Sequence, residues 1–136
     1  MFAQLHVGIR KRGFQLADDR PLPGGCGRRV RAGDLASCHD VAEGGFLVAI
    51  AECCLMGGRG ARLEMEGPLP AEELLFGELP AGFIVSGPRE ALERLAERIP
   101  LDVFGTVGGD ALEFGEVSWS LRELREAWGS LAALFP

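Results

Sequence analysis

No apolar run in this sequence reaches the roughly 18 residues that a membrane-spanning helix needs. Met1 to Arg12 has neither the apolar centre nor the small-residue cleavage site of a secretory signal. Both absences point to a soluble, cytoplasmic chain with no membrane contact. None of the four cysteines (Cys26, Cys38, Cys53, Cys54) forms a C-x-x-C pair, and the two histidines, His6 and His39, stand far apart. That spacing argues against zinc and leaves no metal site to expect. The thiols read as reduced, with Cys53 and Cys54 acting as small hydrophobes inside a helix. There is no G-x-G-x-x-G, no lysine-bearing phosphate loop, no G-x-S-x-G and no H-E-x-x-H. The familiar dinucleotide, P-loop, serine-hydrolase and zinc-protease chemistries therefore have no motif to rest on. Internal repeats and low-complexity tracts are also missing.

What is present fits one domain. A chain of 136 residues, 47% of them apolar, can bury a core without staples. The net charge of -6 is unevenly placed: residues 1–34 hold seven basic and three acidic side chains, and the rest hold seven basic and seventeen acidic ones. An acidic body argues against nucleic-acid binding. The basic stretch, Arg10 to Arg31, reads as a solvated loop.

Phe2 to Ile9 suits a helix through Phe2, Leu5 and Ile9, or a strand through Leu5, Val7 and Ile9, and periodicity does not decide. Pro21 to Gly27 is loop-like. Glu43 to Met56 reads as a central helix, apolar nearly all round, with Glu52 the only charge after Phe46 and Gly57-Gly58 as its stop. Ala61 to Glu66 alternates as a half-buried strand, Ala71 to Phe76 reads as a short helix, and Phe83 to Val85 as a buried strand. Pro88 suits the first position of a helix whose apolar stripe is Ala91, Leu92, Leu95, Ala96 and Ile99. Leu101 to Val107 and Leu112 to Phe114 read as strands joined by a hairpin at Gly108-Gly109, and Val117 to Trp119 as a further short strand. Ser120 and Glu123 form a capping box before a final helix with Leu121, Leu124, Trp128, Leu131 and Phe135 on one face. The order implies an α+β layered sandwich, a mixed sheet with helices packed on it.

The best candidate for chemistry is His39-Asp40 followed by Glu43-Gly44-Gly45. A helix start offers unpaired N–H groups and the positive end of a dipole, and glycines let an anion come close. His39 can donate to a phosphate or position a substrate, and Asp40 can cap the turn or hold a metal-bound phosphate. Against this stands a plain alternative: Asp40 and Glu43 cap the helix and the glycines serve close packing. Glu78, between a short helix and a buried strand, is a weaker candidate that could reach into a cleft. Trp119 and Trp128 read as core or interface anchors.

At these residues a resemblance emerges. His39-Asp40-Val41-Ala42-Glu43-Gly44-Gly45-Phe46-Leu47-Val48-Ala49-Ile50-Ala51-Glu52 resembles the H-D-V-S-[DE]-G-G-L-x-x-A-L-A-E signature of phosphoribosylformylglycinamidine synthase. Leu75-Phe76-Gly77-Glu78 with Phe83-Ile84-Val85 resembles that family's L-F-G-E-S-x-G-R-F-V-V segment. Phe104 to Gly109 resembles its I-G-x-V-G turn, and Ser120 to Trp128 its closing S-L-x-E-L-x-x-A-W helix. The four motifs keep the family order from about Val30 to the end. Three departures stand out: Ala42 replaces the usual serine, Leu79-Pro80-Ala81 replaces S-x-G-R, and Gly24 to Gly27 falls where the family has a helix. Residues 1–29 are thus a weakly supported amino-terminal segment, and 30–136 is the domain proper.

The resemblance implies the carboxy-terminal domain type of the aminoimidazole-ribonucleotide-synthetase superfamily. It implies part of an ATP- and glutamine-dependent amidation in purine biosynthesis, a carbon–nitrogen ligase. It also implies that His39, Asp40, Glu43, Gly44, Gly45 and Glu78 line a phosphate or nucleotide site. ATP and Mg2+ would bind mainly on a preceding domain, and ammonia would come from a glutaminase. The expected partners are therefore that ATP-binding domain and the glutaminase, and the chain alone would be inactive. The alternative is a non-catalytic interaction or regulatory module that keeps the fold, with the apolar central helix serving a homodimer.

Overall fold

The computed structural model describes residues 5–9, 34–41, 43–64, 76, 82–99 and 101–130. Their elements run β1 (Leu5–Ile9), β2 (Ser37–Val41), α1 (Gly45–Gly57), β3 (Ala61–Leu63), β4 (Gly82–Pro88), α2 (Arg89–Ala96), β5 (Asp102–Val107), β6 (Ala111–Phe114), β7 (Val117–Ser120) and α3 (Leu121–Ser130). The seven strands form one sheet in the order β2-β4-β1-β5-β3-β6-β7. The β3–β6 pair is parallel and the other neighbours are antiparallel. The fold is the α+β arrangement that the order of elements implies.

Successive side chains on a strand point to opposite faces, and β4 displays this directly. Ile84 joins the cluster of Phe46, Leu47, Ile50, Leu63, Phe104 and Leu112, beneath α1. Its neighbour Val85 joins Leu35, Leu92, Leu95 and Ile99, beneath α2. Helices therefore cover both faces. Leu121 and Leu124 bring α3 onto the α1 side. Phe46 is fully buried and meets Phe104 edge-on, with ring centroids 4.8 Å apart. Burying such a side chain is worth about 1.5–3 kcal/mol.

α1 holds its place because it is apolar nearly all round. Gly45, Phe46, Leu47, Ala49, Ile50 and Cys54 are buried, and Gly58 ends the helix in the left-handed region (φ 62°), its N–H donating to the Cys54 carbonyl. α2 has the opposite character, a narrow stripe of Ala91, Leu92 and Leu95. Ala96, expected in that stripe, is exposed. Pro88 sits one place before the first helical residue, as the last residue of β4. The capping box of α3 is formed: the Ser120 N–H donates to Glu123 Oε2 at 2.8 Å, and the Glu123 N–H donates to Ser120 Oγ at 3.2 Å.

Two sequence expectations are settled or revised. Within the ambiguous amino-terminal stretch Leu5–Ile9 is a strand, and this β1 lies inside the sheet between β4 and β5, while residues 2–4 lie outside the described residues. Gly108-Gly109 does not close a hairpin between β5 and β6, because β3 lies between them. The loop instead spans the start of β3, where the Gly108 N–H donates to the Gly60 carbonyl and the Gly60 N–H donates to the Gly109 carbonyl, both at 2.9 Å. A Cβ on Gly60 would lie 2.0 Å from the Ala111 carbonyl oxygen, so only glycine threads this arch. The true hairpin is β6–β7, turning at Gly115 with φ 58°.

Candidate functional site

β2 and α1 are joined by a short polar turn, and that junction holds most of the candidate residues. His39 and Asp40 lie on β2, and Glu43 and Gly44 are exposed in the turn. Gly45 is the first residue of α1 and is buried. The backbone at Gly44 (φ 85°) and Gly45 (φ 81°) is left-handed, and Gly44 makes no side-chain cap hydrogen bond. The helix start is thus built by glycine backbone and not by an Asp40 or Glu43 cap at Gly44. Ala42 and Glu78 lie outside the described residues, as do Gly77 and Leu79 to Ala81.

Phe76 is described, and it links two of the motifs. A Cβ placed on Gly45 would lie 2.7 Å from the Phe76 carbonyl carbon and 2.8 Å from its oxygen. Gly45 therefore serves close packing: the backbone of Phe76 rests on the first residue of α1. On Gly44 the same Cβ would meet only the Val48 side chain, at 3.0 Å.

His39 is anchored elsewhere. Its Nε2 lies 2.8 Å from Glu52 Oε2, and its Nδ1 lies 3.6 Å from Asp40 Oδ1. An ionised carboxylate can only accept. Glu52 therefore holds the proton on Nε2 and leaves Nδ1 turned toward Asp40, as an acceptor in the neutral ring and a donor in the charged one. The pair ties the edge strand β2 to the second turn of α1 and beyond. His39 and Glu52 are both about 70% covered (28% and 29% exposed), whereas Asp40 is 68% exposed. Glu52 belongs to this site although the candidate set omitted it. Its signal was its position as the lone charge on an apolar helix.

The candidate residues thus divide between two places on α1. Gly44, Gly45 and the Phe76 segment stand at its amino-terminal end. His39 and Asp40 approach near Glu52, seven residues further on, a rise of about 10 Å. A groove of about 410 Å³ opens beside this second place, where His39 and Glu52 meet Leu55, Met56, Arg125 and Trp128. Met56 (84%) and Trp128 (52%) are among the exposed large apolar side chains, so Trp128 is not a core anchor. Burial raises the Cys53 and Cys54 thiols to about 11, with the neighbouring thiol and Glu52 adding to the effect at Cys53. Both are protonated at neutral pH. No cluster of three His, Cys, Asp or Glu side chains suited to a metal occurs among the described residues. Nor is any of their helices long and apolar enough to cross a membrane.

Comparison with known proteins gives a consistent answer. The chain is 39% identical, across an alignment of 131 residues, to the phosphoribosylformylglycinamidine synthase subunit PurL of Anaeromyxobacter sp. (strain Fw109-5). That alignment covers 85% of this chain and 17% of the relative. The PurL subunit of Brucella ovis is 36% identical over 105 residues, 73% of this chain and 14% of that one. The chain therefore spans less than a fifth of the length of these curated relatives. Among solved structures, T. maritima PurL complexed with ATP superposes with a TM-score of 0.63 at 18% identity, covering 90% of this chain and 25% of that chain. T. maritima PurL complexed with FGAR gives 0.65 at 16% identity, covering 90% and 28%. At such identities the structures establish the shared fold. Residues 25–114 match the family described as AIR synthase related protein, C-terminal domain, and the chain belongs to that family.

Proposed function

We propose that this domain works as part of a phosphoribosylformylglycinamidine synthase, in the ATP- and glutamine-dependent amidation step of purine biosynthesis. The observation that carries the reading is the set of four motifs in family order, within a chain 39% identical to a PurL subunit. In this reading His39, Asp40, Glu43, Gly44, Gly45 and Glu78 contribute to a site for a phosphate-bearing ligand. The packing of the Phe76 backbone against Gly45, which puts a residue of a second family motif at the helix start, supports it. The imidazole oriented by Glu52 would offer Nδ1 to an anion as a donor only when the ring is charged.

ATP and Mg2+ are assigned to a domain outside this chain. The described residues offer no three-ligand acidic cluster for a cation, and the sequence has no lysine-bearing phosphate loop. Ammonia would come from a glutaminase partner, and the chain alone would not turn over. The exposed groove holding Met56 and Trp128 is where another domain of the same enzyme would dock, since large apolar side chains clustered on a surface mark interaction sites.

The test is calorimetry with ATP, ADP and the formylglycinamide ribonucleotide substrate, using the chain with and without an ATP-binding domain from a PurL relative. Binding to the reconstituted pair, weakened by His39→Ala, is the expected result. If the pair binds none of the three, the site assignment fails.

A further inference from the structure

We propose that the cavity between α1 and the sheet binds a small aromatic carboxylate that carries a second polar group. This stands apart from the phosphate reading and does not rest on it. The cavity measures about 400 Å³, within the range of roughly 300–1,000 Å³ common to small-molecule sites. Ile50 and Cys54 of α1, Ile84 of β4 and Val107 of β5 wall it, and β1 runs between β4 and β5.

Inside these apolar walls stands a hydroxyl pair. Ser86 is 7% exposed, and its Oγ lies 2.5 Å from Ser37 Oγ. Both serines line the cavity. Two hydroxyls share a single hydrogen bond, so the second O–H is left over, and neither makes another side-chain hydrogen bond among the described residues. Whichever hydroxyl donates within the pair, the other O–H can donate to a ligand acceptor in the cavity. At the same lining stands Arg59. It is exposed, and the ion pairs among the described residues do not include it. A guanidinium in that position suits a carboxylate, which it can meet with two parallel N–H bonds.

The body between these two polar ends should be aromatic. Cys53, Cys54 and Met56 are among the lining residues, and sulfur side chains make favourable contacts with ring edges. One cation, Arg59, and one spare O–H donor thus line the same largely apolar cavity, which suits a planar ring with an anionic arm and a hydroxyl that accepts. His39 also lines the cavity, so an occupant would touch the residue that joins β2 to α1.

The probe is 4-hydroxyphenylacetate, titrated into the full chain and followed by amide NMR shifts. Phenylacetate and 4-hydroxyphenethyl alcohol serve as the analogues lacking the hydroxyl and the carboxylate. The expected result is saturable shifts confined to the second half of α1, β2 and β4, with affinity about tenfold weaker for each analogue. Arg59→Gln should erase the preference for the carboxylate, and Ser86→Ala the preference for the hydroxyl. Ser37→Ala supplies the second test of the hydroxyl should Ser86→Ala not fold. Absence of saturable shifts would show a cavity holding water only and would overturn the proposal. So would discrimination that survives Arg59→Gln and the serine variants. None of these probes carries phosphate, so the outcome is independent of the calorimetry proposed above.

Discussion

Gly45→Ala tests the packing that joins two of the four motifs, and its cost can be worked from the structure. The left-handed backbone at Gly45 (φ 81°) costs a residue with a Cβ about 1–2 kcal/mol. The new methyl would lie 2.7 Å from the Phe76 carbonyl carbon. Because that is backbone and not a flexible side-chain tip, making room adds about 1–3 kcal/mol. Alanine also restricts the unfolded chain, returning about 0.4–1 kcal/mol. The net loss is then about 1–4.6 kcal/mol, a large share of the roughly 5–15 kcal/mol that holds a domain folded. Gly58→Ala is the control. Its φ is 62° with nothing within 4 Å of an added Cβ, so strain acts alone and the net loss is about 0–1.6 kcal/mol. Urea unfolding followed by tryptophan fluorescence reads both. The reasoning is refuted if the two variants differ by less than about 0.5 kcal/mol, the scatter of ordinary surface substitutions. Phe76 would then not press on Gly45.

Other expectations follow from single contacts. Ser120→Ala removes the cap of α3 and should lower stability by about 1 kcal/mol in the same unfolding assay. The Ser120 hydroxyl, and then its N–H, hold the Glu123 carboxyl below its usual value of 4.5. That contribution is present above pH 4.5 and disappears as pH falls through the depressed value, so Ser120→Ala should flatten the acid limb of the stability profile. Long-range 1H–15N spectra should find His39 with its proton on Nε2 near pH 8, and Glu52→Ala should give a mixture of tautomers; a mixture in the unaltered protein would contradict the Glu52 contact. The buried thiols give an alkaline counterpart. With Cys53 and Cys54 raised from 9.0 to about 11, the folded state keeps protons that the unfolded state releases. Stability should fall as pH rises from about 9 to about 11, and at pH 8 alkylation should run about a hundredfold slower than for a free cysteine, in proportion to thiolate; comparable rates would argue against their burial.

Local features of the fold were legible because their causes are local. The Ser120–Glu123 capping box, the Gly58 stop and, Ala96 apart, the stripe of α2 each depend on residues three or four apart, and each is found where the sequence implies it. Pairing between distant strands was not legible. Gly108-Gly109 has the composition of a hairpin turn, yet the loop arches over β3, because Gly60 lets that strand's start fit against Ala111. No rule of turn chemistry reports a third strand. β1 illustrates the same limit: five residues with mixed periodicity become a strand because β4 and β5 offer hydrogen-bonding edges on both sides. At the candidate site, adjacency along the chain suggested one cluster at the helix start. The contact of His39 with Glu52, 13 positions away, depends on α1 folding back along β2, and only the lone charge on an apolar helix hinted at it.

That fold-back has a consequence for the ligand of the proposed site. The glycine backbone at the start of α1 and the imidazole held by Glu52 are separated by seven residues of helix, about 10 Å of rise. A phosphate group alone spans far less than this and can meet one end or the other. A ribonucleotide is long enough to meet both, with its phosphate at one end and its polar body at the other. On the proposed function, affinity should then come from engaging the two ends together, as linked contacts gain from a shared ordering cost. The glycines and His39 would act as a unit whose spacing is set by the rigid apolar core of α1, since Phe46, Leu47, Ala49 and Ile50 lie buried between them.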